Sequence, residues 1–275
     1  MGEAIVTAPQ EGSGAWIRRF RPPGQGGPAM PCDPAIEGAG IRSAVRLVCF
    51  PHAGGSASFY VPFARSLPAD VDVLAVQYPG RQDRRADKPI EDILELADRI
   101  FEALRPWAGR PLAFFGHSMG AVVAYEVARR LEQETGTRLS ALFASGRRAP
   151  SRRPGEMAVH LRDDDGVIAE LERLSGTDTA LLDNEELLQM ILPPIRSDYR
   201  ALEKYVHRPG PKLTCPITVL VGDADPQITL DEARAWRDHT AGGFGMRVFP
   251  GGHFFLSSQQ AQVSEVIRER LRAHA

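Results

Sequence analysis

The stretch Pro111-Leu112-Ala113-Phe114-Phe115-Gly116-His117-Ser118-Met119-Gly120-Ala121 excludes most ways of folding this chain. A short apolar run of strand length meets, at a Gly-x-Ser-x-Gly pentapeptide, a segment of helical composition that continues through Leu131. A strand that turns so sharply into a helix holds its middle residue in a strained backbone conformation. Glycines two before and two after keep side chains out of the turn, so the Ser118 hydroxyl projects bare at the sheet edge. Such a turn needs neighbouring strands beside it and a helix packed across it. It therefore asks for a layered α/β architecture.

The flanking sequence supplies those neighbours. Residues 45–50, 71–77, 112–115 and 139–145 read as strands, with 59–67, 90–104 and 121–133 as helices between them. Strand and helix in alternation imply a mostly parallel sheet covered on both faces. After Ser145 the alternation stops until Pro211. There Val167, Ile168, Leu171 and Leu174 fall at helical spacing behind Asp163-Asp164-Asp165, an electrostatically favourable helix start. Leu187, Leu188, Ile191 and Leu192 repeat the pattern behind Asn184-Glu185-Glu186, and Pro193-Pro194 is expected to end it. This reads as a helical lid insertion over residues 150–210. Strands resume at 217–221 and 246–249, with a helix at 230–239 between them and a last helix over 262–273.

A chain of 275 residues with 43% apolar content can bury one large core. Residues 1–43, rich in glycine and proline and without periodicity, are expected to form a flexible leader, with Trp16-Ile17-Arg18-Arg19-Phe20 as an anchored patch. Residues 44–275 then form a single domain. The net charge of -2 leaves no basic excess to neutralise phosphates, which argues against nucleic-acid binding. Three scattered cysteines, Cys32, Cys49 and Cys215, suggest neither a disulfide framework nor a thiolate metal site. A reducing cytoplasm is the expected home, because no signal segment and no membrane-length apolar run occurs.

A nucleophilic serine needs a base, and the base needs an orienting carboxylate. Gly222-Asp223-Ala224-Asp225 follows the apolar run 217–221, and Gly251-Gly252-His253 follows the next strand, so both lie where strands deliver catalytic residues. The order Ser, Asp, His is that of α/β-hydrolases. In such hydrolases the acid usually falls three residues after the glycine closing the strand, which favours Asp225, with Asp223 as the alternative. Of the seven histidines, His253 alone holds the late position after a strand; His117 packs within the elbow, and His160, His207, His239 and His274 read as structural. The oxyanion of an acyl-transfer intermediate would be met by the backbone N–H of Met119 and by a second donor from Pro51-His52-Ala53-Gly54-Gly55-Ser56, at Ala53 or alternatively Gly54. No cofactor or metal is expected.

These segments together resemble the type II thioesterases of polyketide and nonribosomal peptide assembly lines. The matching stretches are 48–56 (VCFPHAGGS), 77–81 (QYPGR), 115–121 (FGHSMGA), Ala235-Trp236 and 249–256 (FPGGHFFL). The resemblance implies an α/β-hydrolase fold with Ser118 as nucleophile, Asp225 as acid and His253 as base. It implies hydrolysis of acyl groups from the phosphopantetheine thiol of acyl or peptidyl carrier proteins, removing stalled or wrongly primed chains. Arg147, Arg148, Arg152 and Arg153 then read either as a docking surface for an acidic carrier or as a solvated loop. Two rival readings are a carboxylester hydrolase with the same triad and a non-catalytic interaction module on this fold.

Overall fold

A computed structural model describes residues 13–20, 30–31, 45–68, 71–152, 158–174 and 185–272. The strands expected from residue 45 onward form as β3 (Val45–Phe50), β4 (Val71–Val76), β5 (Leu112–His117), β6 (Ala141–Ser145), β7 (Ile217–Gly222) and β8 (Phe244–Phe249). Every residue of β3, β5, β6 and β7 is buried, as central strands covered on both faces must be. These six strands run parallel. The anchored patch in the leader is also a strand, β1 (Ile17–Arg19), which lies antiparallel to β4 and carries the short β2 (Met30–Pro31) at its outer edge. The full order is β2-β1-β4-β3-β5-β6-β7-β8.

That order contains a reversal. From β3 the chain moves outward to β4, then crosses back to place β5 on the other side of β3. At such a switch point the loops leaving two adjacent strands diverge and open a crevice beyond their carboxyl ends. The loop 51–56 leaves β3 and the elbow leaves β5, in adjacent register at Phe50 and Gly116.

Helices cover both faces, the first two being the short α1 (Ser13–Trp16) and α2 (Val61–Ser66). Helix α3 (Ile93–Leu104) starts where the Asp92 carboxylate accepts the N–H groups of Leu94 and Glu95 at 2.7 and 3.0 Å. It buries Ile93, Leu96, Ala97, Ile100, Phe101 and Leu104, a stripe at helical spacing. Its neighbour α4 (Met119–Arg130) is buried from Met119 through Ala128, so it is wedged between sheet and α3 rather than laid on the surface.

The insertion contains α5 (Asp164–Leu174) and a longer helix, α6 (Glu185–Lys204). Pro193-Pro194 does not end α6: the helix runs through both. Leu192, Ile195 and Tyr199 form a buried stripe continuing beyond the prolines, packed with Val159, Val167 and Leu171. This packing outweighs the hydrogen bonds that the prolines forfeit. These residues form an apolar cluster of their own, with Ala53 of the β3 loop packed against it. Among the described residues no helix is long and apolar enough to cross a membrane.

Candidate active site

Ser118 sits between β5 and α4 with φ 54° and ψ -118°, in the left-handed half of backbone space that a residue with a side chain avoids. Strain of this kind costs on the order of 1–3 kcal/mol and persists where surrounding structure fixes it. The flanking glycines explain how it is fixed. A Cβ on Gly116 would lie 2.2 Å from the Gly120 carbonyl oxygen, and one on Gly120 would lie 2.0 Å from that of Phe50. Both contacts are with backbone, so neither position has room for a methyl group. The Ser118 N–H also donates to the Ser145 carbonyl at 2.8 Å, tying the elbow to β6.

The structure brings the three expected side chains together. Ser118 Oγ is 3.0 Å from His253 Nε2, and His253 Nδ1 is 2.8 Å from Asp225 Oδ2. The other Asp225 oxygen accepts the Gln227 N–H at 2.9 Å. A carboxylate with both oxygens accepting fixes the histidine proton on Nδ1, which leaves Nε2 free to accept from the serine. Asp223 is placed elsewhere: its carboxylate accepts the Gly251 N–H at 2.9 Å and braces the turn before His253. Of the two aspartates, Asp225 is the one placed against His253.

The β3 loop distinguishes its two candidate donors: Gly54 N–H is engaged, donating to Asp198 Oδ2 at 2.7 Å, which leaves Ala53 as the loop's candidate. Met119, at the first turn of α4, has the orphan N–H of a helix start. Asp198 comes from α6 and is buried. It also accepts two bonds from Arg81, each 2.9 Å, while Arg81 donates a third to the Gly55 carbonyl at 3.1 Å. One ion pair therefore grips the loop at Gly54 and Gly55 and joins it to the insertion. Arg81 was visible in sequence only as part of a family segment, and Asp198 carried no local signal at all. The pair is separated by 117 positions and made by tertiary folding alone.

Two more histidines border the site. His117 is buried with Nδ1 2.9 Å from Ser145 Oγ, as a residue packed within the elbow. His52 lies edge-on to Phe59 and Phe254, at centroid distances of 4.6 and 4.8 Å. Burial, reinforced by His253 and Arg81, pushes the His52 pKa down to about 3, and burial likewise depresses that of His117. Both rings stay neutral at pH 7.

The insertion reaches the acid as well. Glu170 of α5 is buried and holds Arg173 at 2.6 Å and the Gln227 side chain at 3.2 Å, and Gln227 is the residue whose N–H binds Asp225. Burial works to raise the Glu170 pKa, but the bonds and charges of Arg173, Arg162 and Gln227 outweigh it and hold it low. The four arginines read either as a docking surface or as a solvated loop sit in different surroundings. Arg147 is buried, Arg148 pairs with Glu232 at 2.7 Å, Arg152 is exposed, and Arg153 lies outside the described residues.

Comparison with known proteins follows the same lines. The family model for the thioesterase domain matches residues 45–272. Thioesterase PikA5 of Streptomyces venezuelae is 50% identical over 261 residues, covering 94% of this chain and 86% of that protein. The solved type II thioesterase BorB from the borrelidin biosynthetic cluster is 50% identical, with TM-score 0.81 over 94% of this chain and 98% of that one. The RedJ thioesterase of the prodiginine pathway in Streptomyces coelicolor is 37% identical, with TM-score 0.79 over 89% of this chain and 90% of that one.

Proposed function

This chain belongs to the thioesterase family, and from that premise we propose that it hydrolyses acyl thioesters carried on the phosphopantetheine arm of acyl or peptidyl carrier proteins. Its role in a polyketide or nonribosomal peptide pathway is to clear stalled or aberrant acyl groups, and it works in the cytoplasm beside the synthase. The observation that carries this reading is the unbroken chain from Ser118 Oγ through His253 to Asp225. Relatives named for such pathways support the choice of substrate.

Ser118 Oγ attacks the thioester carbonyl carbon while His253 Nε2 takes its proton, and Asp225 stabilises the imidazolium. The carbonyl oxygen becomes an oxyanion received by the N–H groups of Met119 and Ala53. The tetrahedral intermediate collapses with loss of the thiolate, which takes the proton from His253 Nε2. A thiol with a pKa near 8.5 departs with less acid assistance than an alkoxide, so no further proton donor is needed. Water then attacks the acyl-enzyme with His253 as base, releasing the carboxylic acid and regenerating Ser118.

Helices α5 and α6 serve as the lid over the acyl group. Partly buried Ile168, Leu188 and Ile191 border the lid's apolar cluster next to Ala53, which supports an apolar surface beside the reacting carbonyl. A panel of carriers loaded with different acyl groups tests the reading. Turnover is expected to exceed that of the matching oxygen ester, and Ser118→Ala is expected to lose about 10^4-fold or more. A strong preference for oxygen esters would favour a carboxylester hydrolase. Failure of a fluorophosphonate to label Ser118 would favour a non-catalytic module.

A further inference from the structure

A cavity of about 230 Å³ lies between the segment that leaves β6 and the end of α6, with walls that include Val122, Arg147, Arg148, Arg152, Tyr205 and His207. Among the described residues no carboxylate lines it. Its volume falls below the roughly 300 Å³ at which pockets begin to hold a whole ligand, so it suits one chemical group of a larger molecule. Two of its lining residues stand close in sequence to groups that hold the nucleophile. Val122 is one helical turn beyond Ser118 on α4, and Arg147 is two residues past Ser145, whose carbonyl accepts the Ser118 N–H.

The arginines of this cavity are not equivalent. Arg148 is neutralised by Glu232, and Arg152 faces solvent. Arg147 is 6% exposed, yet among the described residues no carboxylate, carbonyl or hydroxyl accepts from its guanidinium, and its buried Nε has no partner. Burial and the neighbouring Arg148 push its pKa down to about 10, which still leaves a cation at pH 7. His207 Nδ1, in the same wall, is a second buried polar atom without a partner. Buried polar groups in native proteins are nearly always satisfied, and a buried unpaired charge is among the costliest exceptions. Two such groups on residues that line one cavity, with no carboxylate among its described lining, describe a site completed by an anion.

We propose that this cavity binds the phosphodiester of the phosphopantetheine arm, with Arg147 as the buried cationic contact and His207 as a second hydrogen-bonding group. The inference rests on the reading of the protein as a carrier-thioester hydrolase, which supplies this anion together with the thioester.

The test compares one acyl group on 4′-phosphopantetheine and on pantetheine, which lacks the phosphate. The wild-type protein is expected to show a lower KM for the phosphorylated substrate. Arg147→Met is expected to raise that KM about tenfold, as loss of a charge-assisted bond does, with a smaller rise for acyl-pantetheine. Arg147→Lys should recover part of the difference. Equal losses on the two substrates, or no preference in the wild-type protein, would overturn the proposal. Calorimetric titration of the wild-type protein with 4′-phosphopantetheine, pantetheine and inorganic phosphate decides the matter independently of turnover and of how the variants fold. Heat with phosphopantetheine but none with pantetheine supports the site; heat with neither overturns it. Binding by inorganic phosphate alone would assign the cavity to a free anion and overturn the arm as its occupant. If neither thioester is hydrolysed while phosphopantetheine still binds, it is the proposed function that fails.

Discussion

Arg81 and Arg147 are equally buried, each 6% exposed, but their surroundings differ. Both leave a buried Nε without a partner, but the terminal nitrogens of Arg81 give two bonds to Asp198 and one to a backbone carbonyl, and its guanidinium lies 5.2 Å from the centre of the Tyr78 ring. Arg147 has no acceptor among the described residues. A satisfied buried charge fixes geometry, because every bond it makes constrains the segment on the other side. An unsatisfied one fixes nothing within the chain and marks where another molecule completes the structure. On this comparison Arg81 is a positioning residue for the β3 loop, and Arg147 is a binding residue.

The largest expected effect breaks the satisfied pair. Asp198→Ala strands the Arg81 cation in the interior and frees Gly54 N–H, and loss of one partner of a buried ion pair costs about 3–5 kcal/mol. Denaturant unfolding measures that loss. Replacing both partners by apolar residues, Arg81→Met with Asp198→Leu, is expected to recover most of the stability, since a buried pair is often no better than its hydrophobic substitute. It should not recover kcat, because Gly54 N–H still has no anchor and the β3 loop is free to shift. Full recovery of kcat in the double variant would reduce Arg81 and Asp198 to a structural pair.

Much of this molecule could be read from the sequence, and the reasons are local. The elbow was legible because glycines at 116 and 120 are demanded by backbone contacts within a few residues of Ser118 and by its immediate neighbour β3. The strands β3 to β7 were legible because central parallel strands are apolar on both faces. His253 and Asp225 followed from their positions after strands. The course of α6 was not legible, because Pro193-Pro194 is a local stop signal overridden by the packing of Ile195 and Tyr199. Nor was the difference between Arg81 and Arg147. Each is one arginine in an arginine-rich chain, and whether it is paired depends on which distant segment folds across it.

A second, smaller effect concerns the neutral histidine beside each arginine. His52 lies near Arg81, and His207 lies in the Arg147 cavity next to His239, whose ring centroid is 4.9 Å away. Burial, and then the neighbouring His207, push the His239 pKa down to about 4. A histidine with a depressed folded pKa is protonated in the unfolded chain first, so stability falls as pH drops below about 6.5 and the loss continues down to the folded pKa. Each such group removes up to about 1.4 kcal/mol per pH unit in that window. His239→Gln should flatten the acid limb of the stability curve between pH 6.5 and 4 by about one proton, and His52→Gln should do the same down to about pH 3. Acid limbs parallel to that of the wild-type protein would show that these rings are not held neutral in the fold.

The smallest expected effect tests the unsatisfied member of the comparison. Arg147→Met keeps most of the side-chain stem and removes a buried charge that has no partner to strand. Substituting apolar groups for buried charges is often neutral or stabilising, so unfolding of the ligand-free protein should shift by less than about 1 kcal/mol, toward greater stability if at all. The contrast with Asp198→Ala is the informative quantity. If Arg147→Met instead cost several kcal/mol, its guanidinium would have to be satisfied within the fold, and the distinction between the two arginines would collapse. If stability holds while phosphopantetheine binding is lost, the chain maintains a buried charge at no benefit to its own folding. Such a residue is explained only by what it binds.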